Sequence, residues 1–483
     1  MSYTKEEVLE FVQANDVKFV RLLFCDLQGT PKNVAVMADY LPQVFETGAT
    51  FDAAVLDGDG HATAPLTAQD EWAGLILRPD PATLAVLPWR PQSGRAARMY
   101  CDVMDEQNLP LATDGRGLLR AVRQKAMERG LLVKAGCECG FYLFELDDEG
   151  LPTHTPHDQA GYLDIAPLDR CENVRRDICL TLEELGMAPM GSYHERGPGQ
   201  NNVWCRATDI LTCADDIITY KTVVRTIAAQ HGLFASFMPR PLPDAPDSRL
   251  FINLTLESMP GTADEVSAEA CASFMAGIAA RIPELMLFVQ PSTNAYTSPA
   301  ESDDSARLTG ASRSPGSPPL LTALDYLSWA GGRPSQLIRI PYKDSEARRV
   351  ELGGFDALSN PYYVLSLLLA AGLEGMERNA SLAETVAAAQ AGSLTLPTNL
   401  GEALAVARSS GFVSNNLPPS ALERIFTVKQ QEWEHYVSLP ETNLEHFSAE
   451  KLRELRRSLR DGLKNSVGED RLSFEQTRYF AQI

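Results

Sequence analysis

The fold class that the sequence predicts is mixed, a small β-rich domain followed by a larger α/β or α+β domain. Two observations predict it. Residues 17–37 alternate as strands do: Val17-Lys-Phe-Val-Arg-Leu-Leu-Phe, a turn at Asp26-Leu-Gln-Gly29, then Lys32-Asn-Val-Ala-Val, and period-two alternation is the mark of a strand with one face buried. Beyond residue 97, helical periods interleave with short strand-like runs, which places helices and strands in one layered domain.

Two further strand signals, Ala73-Gly-Leu-Ile-Leu and Thr83-Leu-Ala-Val-Leu, each close near a proline and complete the first domain by about Trp89. Pro91 to Arg95 read as a polar hinge, and Ala97-Arg-Met-Tyr-Cys-Asp102 as the strand that opens the second domain. Helices are expected over Gly117–Glu128, Cys171–Leu185 and Ile217–His231, and strands over Leu132–Lys134, Phe141–Phe144 and Leu250–Leu256. Ser298 to Pro319, rich in Ser, Pro, Gly and Asp, read as a long mobile loop. Ala-rich helices follow an Asn360-Pro361 start. From Ser448, Leu452, Leu455, Leu459 and Leu463 recur at helical spacing among basic residues, an amphipathic docking helix. The expected division is therefore 15–96, 97–447 and a helical extension 448–483, with no internal repeat.

The 483 residues carry 43 basic against 64 acidic side chains, a net charge of −21. Phosphate contacts need a basic surface, so nucleic acid is excluded as a partner. No window approaches the length of a membrane span and the start has no apolar signal core, so no membrane partner is expected. Nine scattered cysteines fit reduced thiols and a cytoplasmic location. Asp57-Gly-Asp-Gly-His61 lacks the spacing and terminal glutamate of an EF-hand, and reads as a loop near a subunit contact.

Gly136-Cys-Glu-Cys-Gly-Phe-Tyr-Leu-Phe144 is the most informative stretch. On a strand, Glu138, Gly140 and Tyr142 share one face and Cys137, Cys139, Phe141 and Leu143 the other. The C-x-C pair, without a partner cluster, reads as small hydrophobes on the back of the strand. An acid amid so much apolar sequence is costly unless something positive meets it, and two carboxylates at this spacing would hold a divalent cation. Here the second position is glycine.

Several segments together resemble the glutamine synthetase family, from about residue 17 to about residue 447. They are Phe51-Asp52, Pro79-Asp80 to Trp89, Ala97–Asp102, the Glu138 strand, His194-Glu-Arg-Gly-Pro-Gly-Gln-Asn-Asn202, Phe237–Pro241, Ile338-Arg-Ile-Pro341, Arg349-Val-Glu351 and Asn360-Pro-Tyr362. The resemblance implies the α+β class: an N-terminal β-grasp domain and a large C-terminal catalytic-type domain, its antiparallel sheet forming an open barrel. It also implies a homo-oligomeric ring with sites between subunits, and ATP-dependent ligation of ammonia to the γ-carboxylate of glutamate. ATP and Mg²⁺ or Mn²⁺ are the implied cofactors, and these cations want oxygen ligands.

The resemblance maps metal ligands onto Glu138, Glu195 and Glu351, and finds three others replaced, by Gly140, Asn202 and Phe251. Asp52 and Arg339 map to catalytic positions, and Arg349, Asn253 and Thr255 to nucleotide-binding ones. The second arginine of the Arg-x-Glu-x-Arg pattern is Gly353, and the arginine after Asn-x-Tyr is Ser298, for which Arg307 or Arg333 are the candidate substitutes. From Leu308 to Leu324 there is no acidic residue where the resemblance implies a flap glutamate. Because the losses fall on one chemical step, the expectation is a weak or inactive copy with a regulatory, structural or ligand-sensing role. The alternatives are a ligase with an altered amine or substitute metal ligands, and an ordinary glutamine synthetase.

Overall fold

A computed structural model describes residues 3–57, 74–90, 93–242, 245–261, 265–296, 327–329, 338–340, 349–391, 394–440 and 471–480. The expected loop at 298–319, the leucine-rich stretch 448–463 and the 308–324 segment lie outside the described residues, as do residues 58–61, Arg307 and Arg333.

The first domain opens with the helix Lys5–Ala14, whose Thr4 and Glu7 cap each other's backbone amides. Its strands are β1 (Val17–Cys25), β2 (Pro31–Met37), β3 (Ala49–Asp52), β4 (Gly74–Pro79), β5 (Ala85–Val86) and β6 (Arg95–Met104). They run in the order β2-β1-β6-β4-β3, with β5 also on β6 and with β1 and β6 parallel. The turn between β1 and β2 stands where the sequence places it, and the Asp26 carboxylate accepts the amides of Gln28 and Thr30. The strand expected to open the second domain is instead β6, paired on both edges within the first sheet. The polar stretch before it resembles a hinge in composition, but Gly94 N–H donates to Asp16 and Arg95 N–H to Asp16 O, tying it to β1.

Among the described residues the second sheet has ten strands: β7 (Leu131–Leu146), β8 (Pro152–Pro156), β9 (Pro189–His194), β10 (Gln200–Cys205), β11 (Thr208–Asp209), β12 (Leu233–Ser236), β13 (Leu250–Ser258), β14 (Leu327–Trp329), β15 (Ile338–Ile340) and β16 (Arg349–Phe355). Their order is β14-β15-β16-β13-β7-β10-β9. The two short strands expected at 132–134 and 141–144 are one strand, β7, because successive partners hold its whole length. One edge takes β13 and then β12; the other takes β11, β10 and β8. The α+β class holds.

The faces of β7 sort as the alternation predicts. Val133, Ala135, Cys137, Cys139, Phe141 and Leu143 are buried in the main core, while Glu138 is only partly covered. Strand β13 repeats the pattern, with Leu250, Ile252, Leu254 and Leu256 in the core and Phe251, Asn253 and Thr255 on the opposite face. Behind the sheet lie the helices Ile210–Gln230, Ala268–Val289 and Pro361–Glu377. The second of these is, by length and composition alone, apolar enough to cross a membrane, contrary to the sequence expectation, but it is mostly buried inside the protein. It packs so closely on the third that a Cβ on Gly277 or Gly375 would run into the facing backbone. Asn360 caps the third helix through the Tyr362 amide and also reaches the carbonyls of Asp26 and Leu27 in the first domain. The C-terminal helix Arg471–Tyr479 docks on this domain, burying Phe474, Tyr479 and Phe480.

Candidate functional site

Register brings the sequence-mapped residues onto one face of the second sheet. Glu351 on β16 stands opposite Asn253 on β13, and Asn253 opposite Gly136 on β7; Thr255 stands opposite Arg349. Arg339 on β15 pairs with Glu351. Phe251 is directly opposite Glu138, and Asn202 on β10 is directly opposite Gly140. Directly opposed residues project from the same side of a sheet. Gly140, Asn202 and Phe251 therefore surround Glu138, with Asn202 and Phe251 on opposite edges of β7. The side chains of Arg339 and Arg349 are not among those described. Asp52 is not gathered here: it lies exposed at the end of β3, its carboxylate accepting the Ala54 amide.

The centre of the face is a small hydrogen-bonded group. Tyr193 Oη donates to Glu138 Oε1 at 2.8 Å, and Asn202 Nδ2 donates to the same oxygen at 2.9 Å. Asn202 Nδ2 also donates to Glu195 Oε1 at 3.0 Å, so one amide nitrogen bridges the two carboxylates. Burial raises the affinity of Glu138 for a proton above the ordinary carboxylate range; the Tyr193 and Asn202 bonds oppose this, and the charges of Glu195 and Glu351 add to it. Tyr193 is held protonated by burial and by the same two carboxylates.

Gly140 is covered by the segment that leads into β13. A Cβ there would meet Ser248 Oγ at 3.0 Å, and Gly140 N–H donates to Arg249 O at 3.1 Å. Asp247 pins that segment, taking Arg240 Nε at 2.8 Å and Arg249 at 2.8 Å, while Tyr142 Oη donates to Pro246 O at 2.6 Å. Two buried polar atoms beside Gly140, Asn202 Oδ1 and Ser248 Oγ, have no partner among the described residues. Trp204, opposite Glu138 on the other edge of β7, and Tyr193, opposite Asn202, add rings whose centroids are 5.6 Å apart.

Sequence reasoning missed Tyr193, Trp204 and Ser248. Two of them follow from strand parity, because Trp204 is two residues from Asn202 and Tyr193 two from Glu195. Ser248 follows only from the path of the segment over Gly140.

A second set of metal-type donors lies behind Glu195. Donor atoms of Asp158, Asp169, Cys171 and His194, all buried, lie within 4.8 Å of one another. They are spent on each other and on close neighbours. His194 Nε2 meets Asp158 at 2.9 Å and its Nδ1 meets the Glu195 carbonyl at 2.8 Å. Cys171 Sγ donates to Asp158, and Arg175 clamps Asp169. Burial disfavours the imidazolium, but Asp158 and the Glu195 carbonyl outweigh it and raise the pKa of His194. The set is a strut that fixes the backbone at Glu195.

The fold and the site define an α+β protein whose second sheet gathers acids on one face. The glutamine synthetase catalytic-domain model matches residues 112–446, and the glutamine synthetase beta-Grasp model matches residues 16–106. The chain is 35% identical to a glutamine synthetase of Clostridium saccharobutylicum over 450 residues, 90% of this chain and 96% of that one. It is 34% identical to a glutamine synthetase of Methanosarcina mazei, over 90% and 95% of the two chains. It belongs to the glutamine synthetase family. Among solved structures, a GmaS/ADP complex superposes with a TM-score of 0.74 at 24% identity, over 94% of this chain and 99% of that one. A glutamine synthase homologue superposes at 0.70 with 20% identity, over 96% and 99%.

The metal that the family implies does not fit the residues present. Its pair of carboxylates is bridged by an amide N–H, a donor that a cation repels. A phenyl ring stands across from Glu138, and a segment of main chain lies over the position that would carry a second strand carboxylate.

Proposed function

We propose that this protein keeps the glutamine synthetase fold but does not carry out the ATP-dependent ligation of ammonia to glutamate, and serves a ligand-sensing or regulatory role. The observation that carries the reading is the single amide, Asn202 Nδ2, joining Glu138 and Glu195 at 2.9 and 3.0 Å. Phosphoryl transfer depends on divalent cations to neutralise the phosphates. With Glu138, Glu195 and Glu351 retained but Gly140, Asn202 and Phe251 in place of ligands, that neutralisation is lost. On this reading Asp52, Arg339, Arg349, Asn253 and Thr255 are remnants of catalytic and nucleotide positions. A cytoplasmic homo-oligomer, with the Asp52 loop reaching a neighbouring subunit, is part of the same proposal, as is a separate role for the C-terminal extension.

The test is phosphate release from ATP with glutamate and ammonium, in saturating Mg²⁺ and again in Mn²⁺, on the folded oligomer. The reading expects no release above the no-glutamate control. Glutamate- and amine-dependent release overturns it in favour of a ligase with substitute ligands or another amine.

A further inference from the structure

Behind the second sheet, four helices flank a hollow of about 480 Å³. They are Gly115–Glu128, Ala268–Val289, Pro361–Glu377 and the short Gly411–Asn416. The volume is within the range of small-molecule sites, roughly 300–1,000 Å³, and equals about sixteen waters at about 30 Å³ each. A lone oxyanion would leave most of it to solvent. The floor is apolar: Val122, Leu373 and Phe412 belong to the core behind the sheet, whereas Glu138 lies on the opposite face. The rim is cationic in a chain whose net charge is −21, with Lys125, Arg129, Arg281 and Arg378 against Glu374 and Glu377.

Both acids are matched by arginines. Glu374 takes Arg281 Nε and Nη2, each at 2.9 Å, and also Arg378, while Glu377 takes Arg129. The carboxylates thus hold the guanidiniums at the rim, yet use only one recorded contact each from Arg129 and Arg378. A guanidinium carries five N–H donors. Lys125 Nζ has no partner among the described residues. Lys125 is one helical turn before Arg129, and Arg129 reaches the residue next to Arg378, so the three cations are neighbours. Basic side chains near helix C-termini commonly bond the last carbonyls, but among the described residues no side-chain bond of these three goes to one. Cations with donors to spare above an apolar floor suit an organic anion whose charge is concentrated at one end. A phosphate monoester fits better than a carboxylate, because it brings about two negative charges and three acceptor oxygens to one point. Arginine meets such a group through paired N–H bonds and lysine as a point charge.

We infer that this hollow binds a small phosphate monoester, its phosphate held by Lys125, Arg129 and Arg378 and its organic part against Val122, Leu373 and Phe412. The hollow and the Glu138 face are on opposite sides of the sheet, so the inference holds whether or not that face catalyses. No bond is made or broken.

The experiment is calorimetric titration of the full-length protein with phenyl phosphate at low salt and about pH 7.5, where a phosphate monoester is mostly dianionic. A chelator in the buffer keeps divalent cations from bridging phosphate to the acid-bearing face. Saturation at one phenyl phosphate per chain is expected. Inorganic phosphate, which lacks the organic part, and benzoate, which lacks the second charge, should each bind at least about fivefold more weakly. Lys125 and Arg129 are exposed, so the Lys125→Gln, Arg129→Gln double variant should fold, and it should bind phenyl phosphate more than about tenfold more weakly, having lost charge-assisted hydrogen bonds. High salt should weaken the wild type in the same direction. Arg349→Gln, on the sheet, should bind phenyl phosphate as the wild type does. Failure of phenyl phosphate to saturate, equal binding of inorganic phosphate or benzoate, or indifference to the double substitution overturns the inference. Binding lost in Arg349→Gln overturns it too, by moving the phosphate to the sheet.

Discussion

Two acidic clusters in this chain meet their need for counter-charge in opposite ways. At the junction of the domains, Asp80, Asp102 and Asp215 converge on Arg116, at 2.9, 2.6 and 2.9 Å, and Arg120 bonds the first two again. On the opposite face of the second sheet, Glu138 accepts a tyrosine hydroxyl, and Glu138 and Glu195 share an amide. Burial pushes both Asp80 and Glu138 toward their protonated forms. At Asp80 the guanidiniums of Arg116 and Arg120 outweigh it and hold the carboxyl below its ordinary range, whereas at Glu138 burial prevails. The first cluster joins β4 and β6 of one domain to the helices Gly115–Glu128 and Ile210–Gln230 of the other, and is closed. The second, among the described residues, is held by neutral donors.

The largest effect is expected from opening the closed cluster. Arg116→Leu leaves the buried Asp215 without its cation and the half-buried Asp80 and Asp102 with Arg120 alone, a loss of about 3–5 kcal/mol, to be read by denaturant unfolding or as failure to accumulate folded protein. An unchanged midpoint would mean that Arg120 alone holds the junction.

Deleting residues 471–483 comes next. It removes the buried Phe474, Tyr479 and Phe480 but strands no charge, so the loss is one of local docking. It also removes the bond from Asn294 Nδ2 to Glu475. Asn294 in turn accepts the Arg240 amide, and Arg240 holds Asp247 over Gly140. The melting temperature should fall by several degrees and protease cleavage near 240–249 should increase.

The smallest effect separates the two clusters by pH. The pKa of Glu138 is raised in the fold, so the folded state binds more protons than the unfolded one between the two pKa values, and ionisation on going up in pH costs stability. Glu138→Gln keeps an acceptor for Tyr193 and should raise stability at pH 7 by about 1 kcal/mol or less, given partial solvent screening. That advantage should shrink as the pH falls through the raised pKa. Asp80 has the opposite sign: its stabilisation is present above its unfolded pKa and is lost as the pH falls through its depressed folded pKa. At neutral pH Glu138→Gln should therefore melt above wild type and Asp80→Asn below it, and both differences should shrink as the pH falls.

How much of this was legible in the sequence differs between the regions. The two faces of β7 and β13 could be read directly, because period-two alternation is local. So could the Asn360 cap and the turn at Asp26. The place of β6 could not, since the choice of partner for a strand depends on distant residues, here Val17–Leu23 and Ile76–Pro79. The helix Ile210–Gln230 begins seven residues before the expected start at Ile217, because Asp209 caps it through the Leu211 amide while the reading began at the apolar period. At the site, Gly140, Asn202 and Phe251 could be singled out position by position through the family pattern. The Asn202 bridge and the path of Ser248 over Gly140 could not, because they are properties of register and packing.

The most direct measurement is Mn²⁺ binding by electron paramagnetic resonance on two proteins, the wild type and the Gly140→Glu, Asn202→Glu, Phe251→His variant, each verified as folded. The account predicts no saturable Mn²⁺ site on the wild type and a clear gain on the variant. Saturable Mn²⁺ binding to the wild type, lost on Glu138→Gln, would contradict it.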